Sequence, residues 1–424
     1  MPFQLDALTP TVLNNYRLQT DPLADDLIDA IEQSGSVSAV NQVMMTLFRN
    51  DGFPTGQFDH LGPEITELLT DYIETSKQLP DWADAQRIKA GERVFAEQGP
   101  IIFMLLNLSS LPLCYSCAKG AQVLFETGRL LTHGGNTDPL ARRLMETAQM
   151  VVNCLSEGGL SDNGQGIVTL QKVRLIHASI RYYLKKGEYK GKKWDVNKYG
   201  EPINQEDLAG TLMSFGPVII SGLNQLGSQL SEKQMADYMH CWKVVGHLMG
   251  IRSELLPDTY EQAFGLATKI LAHQSANSEA GEALTASCVK FINDLLPGNA
   301  FSTAPNYLIH YFLQPFAKSS GKDLAGCIGV SVEETSRNEW MLHTTQFITK
   351  EVTKLEDIKF FQRLAKHLNT FILQGVIHHF NDGKQVHFFI PPSLQKEWKL
   401  NSQWKDYWTT PSIFGNRLSL QKKT

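Results

Sequence analysis

Apolar residues recur at intervals of three and four along almost every long segment of this chain, and this periodicity limits the folds open to it. Most of these segments begin with acidic residues and end at Gly or Pro, as helices do, and the alternation typical of strands is scarce. The pattern therefore predicts an all-α protein. The predicted helices are 36–49, 63–78, 83–97, 100–111, 117–132, 139–156, 167–186, 204–226, 231–249, 257–275, 278–296, 335–350 and 355–378.

One short hairpin is predicted near the end of the chain, at 376–390. Asp382 and Gly383 suit a tight turn between its two strands. Three histidines flank this turn without recognisable metal-ligand spacing, so no metal site is predicted there.

The length and composition fit a large, folded chain. Of the 424 residues, 42% are apolar, which is enough to form an extensive core. The net charge of -5 argues against a nucleic-acid partner. A turn cluster at 296–299 could end a central domain, and the predicted division is an N-terminal extension (1–79), a core (80–299) and a C-terminal region (300–424).

The expected location is the cytoplasm. Six scattered cysteines are typical of free thiols in a reducing compartment, and the N-terminal residues do not resemble a secretory signal. The most apolar stretch, 100–113, is interrupted by polar residues and is shorter than a transmembrane span. It is expected to form a buried helix that ends near Pro112.

The helix predicted over 167–186 carries an unusual combination of side chains. His177 lies at the centre of an apolar face, and Arg174 and Arg181 lie on the flank of that face, one turn before and one turn after it. Because an unpaired buried charge costs several kcal/mol, an anionic group is expected to meet the arginines. The apolar residues within about 60° of the histidine are Leu170, Val173, Ile180 and Leu184.

Two interpretations of this helix remain open from the residues alone. Haem would satisfy all three polar side chains, since it offers iron to the imidazole, an apolar macrocycle to the aliphatic residues and propionates to the arginines. Alternatively, the histidine is hydrogen-bonded in the core and the arginines reach outward over its rim. Periodicity by itself favours the second interpretation.

The two preceding helices contribute further candidates. The face of helix 139–156 that is centred on Thr147 is mostly apolar but includes Arg143, which can pair with Glu146 three residues later. A glycine-containing link at 158–166 would let this helix lie antiparallel to the next one, and the pair could enclose a flat cofactor. Glu126 on the helix before them could approach the same space and exchange protons with a ligand.

At these residues the chain resembles the latex-clearing protein or rubber oxygenase family of haem b proteins, which includes an oxygenase of mycophenolate biosynthesis. The principal motif, at 173–181, is Val-Arg-Leu-Ile-His-Ala-Ser-Ile-Arg. Further matching segments, in the same order as in the family, lie within 80–255. They are Pro80-Asp81-Trp82 leading to Gly91, and the segments 143–147, 202–208 and 242–251.

The resemblance implies a globin-like helical core that binds haem b, with additional N- and C-terminal helices. It implies that His177 is the proximal iron ligand, and that Arg174 and Arg181 contact the propionates or stabilise the pocket. Arg143 and Thr147 match distal-side positions.

This sequence departs from the family at one distal position. Glu146 replaces a lysine that can cap the distal iron site, so a lysine-capped state is not expected here. Glu126 roughly matches the family's distal base, although its spacing to Thr147 differs by about one residue.

The function implied is a haem b-dependent oxygenase that uses dioxygen to cleave a carbon–carbon double bond in a hydrophobic, isoprenoid-like substrate. The carboxylate of Glu126 or Glu146 would relay a proton, and Arg143 would orient that carboxylate. A small terpenoid or lipid alkene is a more plausible substrate than rubber for a chain without a visible export signal. The alternatives are a non-catalytic haem protein that binds oxygen or another diatomic ligand, and a helical scaffold without a cofactor.

The remaining motifs have structural interpretations. Asn204 is expected to cap a helix, with Glu206 and Asp207 in its first turn complementing the helix dipole. Trp242, Gly246 and Gly250 are expected to mark a packing face. His240 and His247, about 10 Å apart along one helix, are too far from each other to share a metal and are expected to be structural. The cysteines at 114 and 117 are expected to be buried thiols.

Overall fold

The computed structural model describes residues 3–34, 40, 42–43, 53, 56, 58–127, 138–186, 193–228, 230–295 and 304–332, without the side chains of 138–145, 294–295 and 304. The helices predicted at 335–350 and 355–378, most of the one at 36–49, and the hairpin at 376–390 lie outside these ranges.

The described part of the chain is all-α, as predicted, and its only β pairing there is an isolated bridge between Cys117 and Ser275. The helices are α1 (Pro10–Tyr16), α2 (Pro22–Ser34), α3 (Pro63–Ser76), α4 (Ala85–Leu105), α5 (Leu111–Ser116), α6 (Ala118–Thr127), α7 (Asp138–Leu155), α8 (Gln165–Lys186), α9 (Val196–Tyr199), α10 (Gln205–Phe215), α11 (Pro217–Gln225), α12 (Glu232–Leu248), α13 (Tyr260–Gln274), α14 (Glu279–Leu295) and α15 (Ala304–Ser320).

Side-chain caps begin several of these helices. The Asp84 carboxylate accepts hydrogen bonds from the backbone N–H groups of Gln86 and Arg87 at the start of α4. Ser231 and Gln234 form a capping box at the start of α12. Asn204 accepts from the backbone N–H of Asp207 at 3.0 Å, so the predicted cap of α10 is confirmed.

Two predicted helix boundaries near prolines differ from the structure. The segments 83–97 and 100–111 belong to one continuous helical run, in which a π-helical turn at Leu106–Ser110 joins α4 to α5. The expected end near Pro112 is wrong, since Pro112 lies in the first turn of α5, directly after the π-helical turn, and the helical run continues to Ser116. Conversely, the segment 204–226 divides at Gly216, because Pro217 interrupts the helix and begins α11.

The run Ala85–Ser116 is long and apolar enough to cross a bilayer, judged by length and composition only. Most of its apolar stretch is buried inside the fold.

A large core extends over most of the described chain, from Phe3 to Val330. At its centre α4 packs closely against α12, since a methyl group added to Gly91 would lie 2.6 Å from the carbonyl oxygen of Asp237. The rings of Phe264 on α13 and Phe316 on α15 lie 4.5 Å apart. Residues of α15 thus share this core, and the predicted division of the chain at 79 and 299 stays a prediction.

A second apolar cluster covers the outer side of α8. Residues of α2 and α3, among them Ile28 and Leu69, pack there against Leu175 and Tyr182. The N-terminal helices therefore form part of the packing around α8.

The link between α7 and α8 is tight and rich in glycine. A methyl group on Gly159 would lie 2.1 Å from the carbonyl oxygen of Asn153, so only glycine allows this approach. The chain reverses within this link, and α7 and α8 pack side by side as predicted.

Candidate functional site

A cavity of about 270 Å³ lies within the helical core. Its walls come from the α4–α5 run and from α6, α7, α8, α10, α12 and α13. Aliphatic and aromatic side chains supply most of the lining, so the cavity suits an apolar ligand.

The predicted face of α8 forms one wall of this cavity. Leu170, Val173, His177 and Ile180 all line it, with the histidine at the middle. Leu184 does not line the cavity and packs instead with Val123 and Trp194. The helix thus presents an imidazole among apolar side chains to an internal space.

The two arginines of α8 point to a different part of the molecule. Arg174 donates to both carboxylate oxygens of Asp21, at 2.5 and 2.7 Å, and is 8% exposed. Arg181, 3% exposed, donates to Asp25 at 2.7 Å. Both aspartates belong to the segment at the start of α2. Anionic groups do meet the arginines, as expected, and they are carboxylates of the protein itself.

Of the predicted distal residues, Thr147 lines the cavity, next to Ala148 and Met150 on α7. Glu146 and Glu126 are half-buried but do not line it, and Glu126 accepts a hydrogen bond from the Gln122 side chain at 2.8 Å. The side chain of Arg143 lies outside the description. The catalytic roles of these residues and the cofactor contacts of Arg174 and Arg181 stay predictions.

A strained residue lies at the edge of the same cavity. Ile203 has a φ of +52°, in the left-handed region that β-branched residues rarely adopt. Its side chain lines the cavity, and its carbonyl accepts a hydrogen bond from Arg181 at 3.3 Å. Such strain persists only where surrounding contacts fix the backbone, so Arg181 helps to shape the cavity wall.

A further wall of the cavity, opposite in character to the apolar lining, is polar and is formed by the start of α10. The sequence alone did not reveal it. Glu206, which is fully buried, and Asp207 both line the cavity. Arg17 donates to Glu206 at 3.2 Å and to Asp207 at 2.7 Å, and is itself 2% exposed. Glu206 also contacts His273 Nδ1 at 2.6 Å.

These two acids were predicted only as helix-start residues that complement the helix dipole. The sequence did indicate that Glu206 is buried, since it is on the same face of α10 as the buried residues Ala209 and Met213. Arg17 is 189 residues away from Glu206, and no local pattern predicts that contact.

His240 has the structural role expected of it. Its Nε2 accepts a hydrogen bond from the backbone N–H of Asp84 at 3.0 Å, and burial lowers its pKa to about 4. The Trp82 ring lies edge-on to the rings of both His240 and His247. Trp242 stacks on Phe215 with centroids 4.8 Å apart, and both of these rings line the cavity.

Cys114 and Cys117 line the cavity as free thiols. Burial raises the pKa of the Cys114 thiol to about 11 and that of the Cys117 thiol well above its usual range. Both thiols are therefore protonated at neutral pH and contribute as small apolar groups. Over the described ranges, no three His, Cys, Asp or Glu side chains cluster as a metal-ligand set.

Comparisons with known proteins identify the family of the chain and the fold that it shares. Residues 103–320, just over half of the chain, match the family described as ER-bound oxygenase mpaB/B'/Rubber oxygenase, catalytic domain. The chain belongs to this family. The matched range includes α7, α8 and α10, which carry Thr147, His177, and the pair Glu206 and Asp207.

A curated relative and a solved structure give the extent of the likeness. The rubber oxygenase of Streptomyces sp. (strain K30) is 25% identical over 281 residues, which cover 66% of this chain and 64% of that protein. This chain therefore matches less than two thirds of that relative's length. The structure of latex clearing protein LCP in the closed state superposes with a TM-score of 0.62 at 21% identity, covering 89% of this chain and 95% of that one. The all-helical fold is therefore shared.

Proposed function

We propose that this protein is a haem b-dependent oxygenase acting on a hydrophobic, isoprenoid-like alkene. One observation carries the proposal: His177 lies at the centre of an apolar helix face that lines an internal cavity. Membership of the oxygenase family supports the class of reaction. We extend to this chain the reaction type named for the family, and propose a small terpenoid or lipid alkene in the cytoplasm as substrate.

The residues at the cavity fit such a cofactor in their chemistry. An imidazole nitrogen is a common axial ligand of haem iron, and the aliphatic walls on α7 and α8 suit the faces of a macrocycle. When bound, haem would supply the reactivity toward dioxygen that amino-acid side chains lack. His177 would hold the iron, and Thr147 would offer a hydroxyl at the wall.

We propose that the arginines of α8 position the helix and do not contact the cofactor. Arg174 and Arg181 form ion pairs with Asp21 and Asp25. These ion pairs would have to break before either guanidinium could reach a propionate. We therefore assign to the arginines the positioning of α8 and, through Ile203, of the adjoining wall.

Replacing His177 by Ala tests the ligand assignment. The purified protein, reconstituted with hemin, is expected to show a Soret band that the variant loses along with most of its haem content. His60→Ala removes an exposed histidine outside the cavity and serves as the matched control. Full haem retention by His177→Ala would refute the assignment, and a colourless wild-type protein after reconstitution would refute the cofactor.

Oxygen consumption separates an oxygenase from a protein that only binds a diatomic ligand. Haem-loaded protein supplied with an isoprenoid alkene is expected to consume dioxygen steadily and to release carbonyl products. Reversible oxygen binding without turnover across a series of such alkenes would favour the non-catalytic alternative.

A further inference from the structure

One wall of the cavity is formed by α5, on the side away from the proposed iron ligand. Leu111, Cys114 and Cys117 follow one another at intervals of three along this short helix and its C-cap, and all three line the cavity. The helix that carries His177, α8, packs mainly against α2, α7 and α12, whereas α5 packs mainly against α6, α10 and α14. The cavity therefore separates α5 from His177.

The two thiols on α5 have accessible surface although they lie deep in the protein. Cys114 and Cys117 are half-buried, whereas the residues at 113, 115 and 116 are at most 3% exposed. Burial raises the pKa of both thiols, which shows that they lie far from bulk water. Their accessible surface therefore faces the cavity, and the space in front of α5 is open to a ligand.

Packing closes the other side of α5. A methyl group added to Gly281 on α14 would lie 2.6 Å from the carbonyl oxygen of Tyr115. The backbone N–H of Ala276 donates to the carbonyl of Ser116 at 3.2 Å, and the hydroxyls of Ser116 and Ser275 lie 3.2 Å apart. A chain that enters the cavity and reaches α5 therefore meets a closed wall.

The nearby polar groups already have partners within the protein. Asp207 accepts a hydrogen bond from Arg17 at 2.7 Å through one carboxylate oxygen, and one from Asn204 at 2.8 Å through the other. The thiols are protonated and present small, polarisable, neutral groups. A hydrocarbon terminus fits such a wall, whereas a charged end would lose its water there without gaining a partner.

We infer that the α5 face formed by Leu111, Cys114 and Cys117 is the subsite for the apolar terminus of the substrate and limits the length of the substrate. This inference rests on the proposed function for the isoprenoid nature of the substrate, and the closed wall adds that one chain end must enter first. The substrate class is then a short linear isoprenoid with a free hydrocarbon end. An internal stretch of a long polymer does not fit, because the polymer would have to continue through the closed wall.

A series of hydrocarbons with the same terminus tests the inference: myrcene, β-farnesene and β-springene, which contain two, three and four isoprene units. Binding to the purified full chain is measured at equilibrium by calorimetry, before and after reconstitution with hemin. Affinity is expected to rise with length only until the terminus reaches α5, so β-springene is expected to bind no more tightly than β-farnesene. Affinity that rises by a constant factor through β-springene would overturn the inference.

Cys114→Leu adds the bulk of about two methylene groups to this face. It is expected to weaken the binding of β-farnesene about tenfold relative to that of myrcene, which is short enough to shift within the cavity. Cys327→Leu, the same change at a cysteine outside the cavity lining, is the matched control and is expected to leave both affinities unchanged. Equal weakening of both probes by Cys114→Leu, or no weakening, would contradict the subsite.

Labelling of the wild-type thiols keeps the test independent of how well that variant folds. Methylmercury chloride, a small neutral reagent, is expected to label Cys114 and Cys117, and saturating β-farnesene is expected to slow this labelling about tenfold. Cys241 and Cys288 are buried outside the cavity lining and are expected to stay unlabelled, as mass spectrometry will show. Unlabelled thiols on α5, or labelling at an unchanged rate with β-farnesene present, would overturn the inference.

The haem content of the same preparations keeps the two proposals separate. Protein without a Soret band after reconstitution counts against the proposed function, whatever its length preference. Haem-containing protein whose affinity keeps rising with chain length counts against the α5 subsite alone.

Discussion

The two sides of α8 differ in what their polar groups do. The inner side has one polar group, His177, in a lining that is otherwise aliphatic. The outer side has two buried arginines, whose charges are met by Asp21 and Asp25 at 2.5 and 2.7 Å. The inner side therefore faces the cavity, whereas the outer side fixes the helix to the N-terminal segment.

This difference shows that adjacent positions on one helix can have unrelated roles. Arg174 and His177 are three residues apart, and both belong to the motif that matches the family. A buried ion pair that is intact adds little net stability, yet removing one partner leaves a costly unpaired charge. We therefore expect substitutions on the outer side to affect folding and those on the inner side to affect ligands.

The largest effect is expected from Arg174→Leu. The substitution leaves the buried Asp21 carboxylate without its bidentate partner, which costs about 3–5 kcal/mol in free energy of unfolding. Denaturant titration measures this loss. The variant protein that remains folded is expected to keep its haem content, since Arg174 does not line the cavity.

A control on the same helix sharpens this test. Lys185 pairs with Glu201 at the surface, and Lys185→Ala is expected to cost less than about 1 kcal/mol. The double variant Asp21→Asn, Arg174→Leu should recover part of the loss, because it removes the unpaired charge. A loss of haem in Arg174→Leu at wild-type stability would show that the arginine serves the cofactor and not the fold.

The sequence predicted the inner side of α8 better than the outer side. Helical periodicity is local, so it placed Leu170, Val173, His177 and Ile180 on one face, and that face lines the cavity. The same local pattern could not identify the partners of the arginines, because Asp21 is 153 residues from Arg174.

The distant partners of the polar wall on α10 could not be predicted for the same reason. Asn204, Glu206 and Asp207 have the pattern of an ordinary helix start, and the cap is present. Their burial depends on Arg17 and His273, which come from distant parts of the chain. The π-helical turn before α5 was also not predicted, and all five of its residues are buried.

A second prediction concerns the link that holds α7 and α8 together. Glu92 on α4 is 6% exposed and accepts a hydrogen bond from the backbone N–H of Gly158 at 3.1 Å. Burial raises the pKa of this carboxyl group from 4.5 to about 7. The native state therefore favours the protonated form, and stability that is fully present below pH 4.5 is lost as the pH rises through 7.

Glu92→Gln is expected to remove this pH dependence. The amide keeps an acceptor for Gly158 and never ionises. At pH 8 the free energy of unfolding of the variant should therefore exceed that of wild type by up to about 3 kcal/mol. At pH 5 the two values should be closer. Glu97→Gln, an exposed change on the same helix, should leave the wild-type pH profile unaltered. If Glu92→Gln is less stable than wild type at pH 8, the ionised carboxylate is needed to hold the link between α7 and α8.

The smallest effect on stability is expected on the cavity side, from Thr147→Val. The change keeps the shape of the side chain and removes one hydroxyl, which costs about 1 kcal/mol. Thr169→Val on α8 removes a hydroxyl that accepts from Asn153 and does not line the cavity, so it should cost a similar amount. Only Thr147→Val is expected to shift the absorption bands of the haem-loaded protein. Identical spectra for the two variants would mean that the hydroxyl of Thr147 does not face the cofactor, and the inner side of α8 would then carry the ligand chemistry without help from α7.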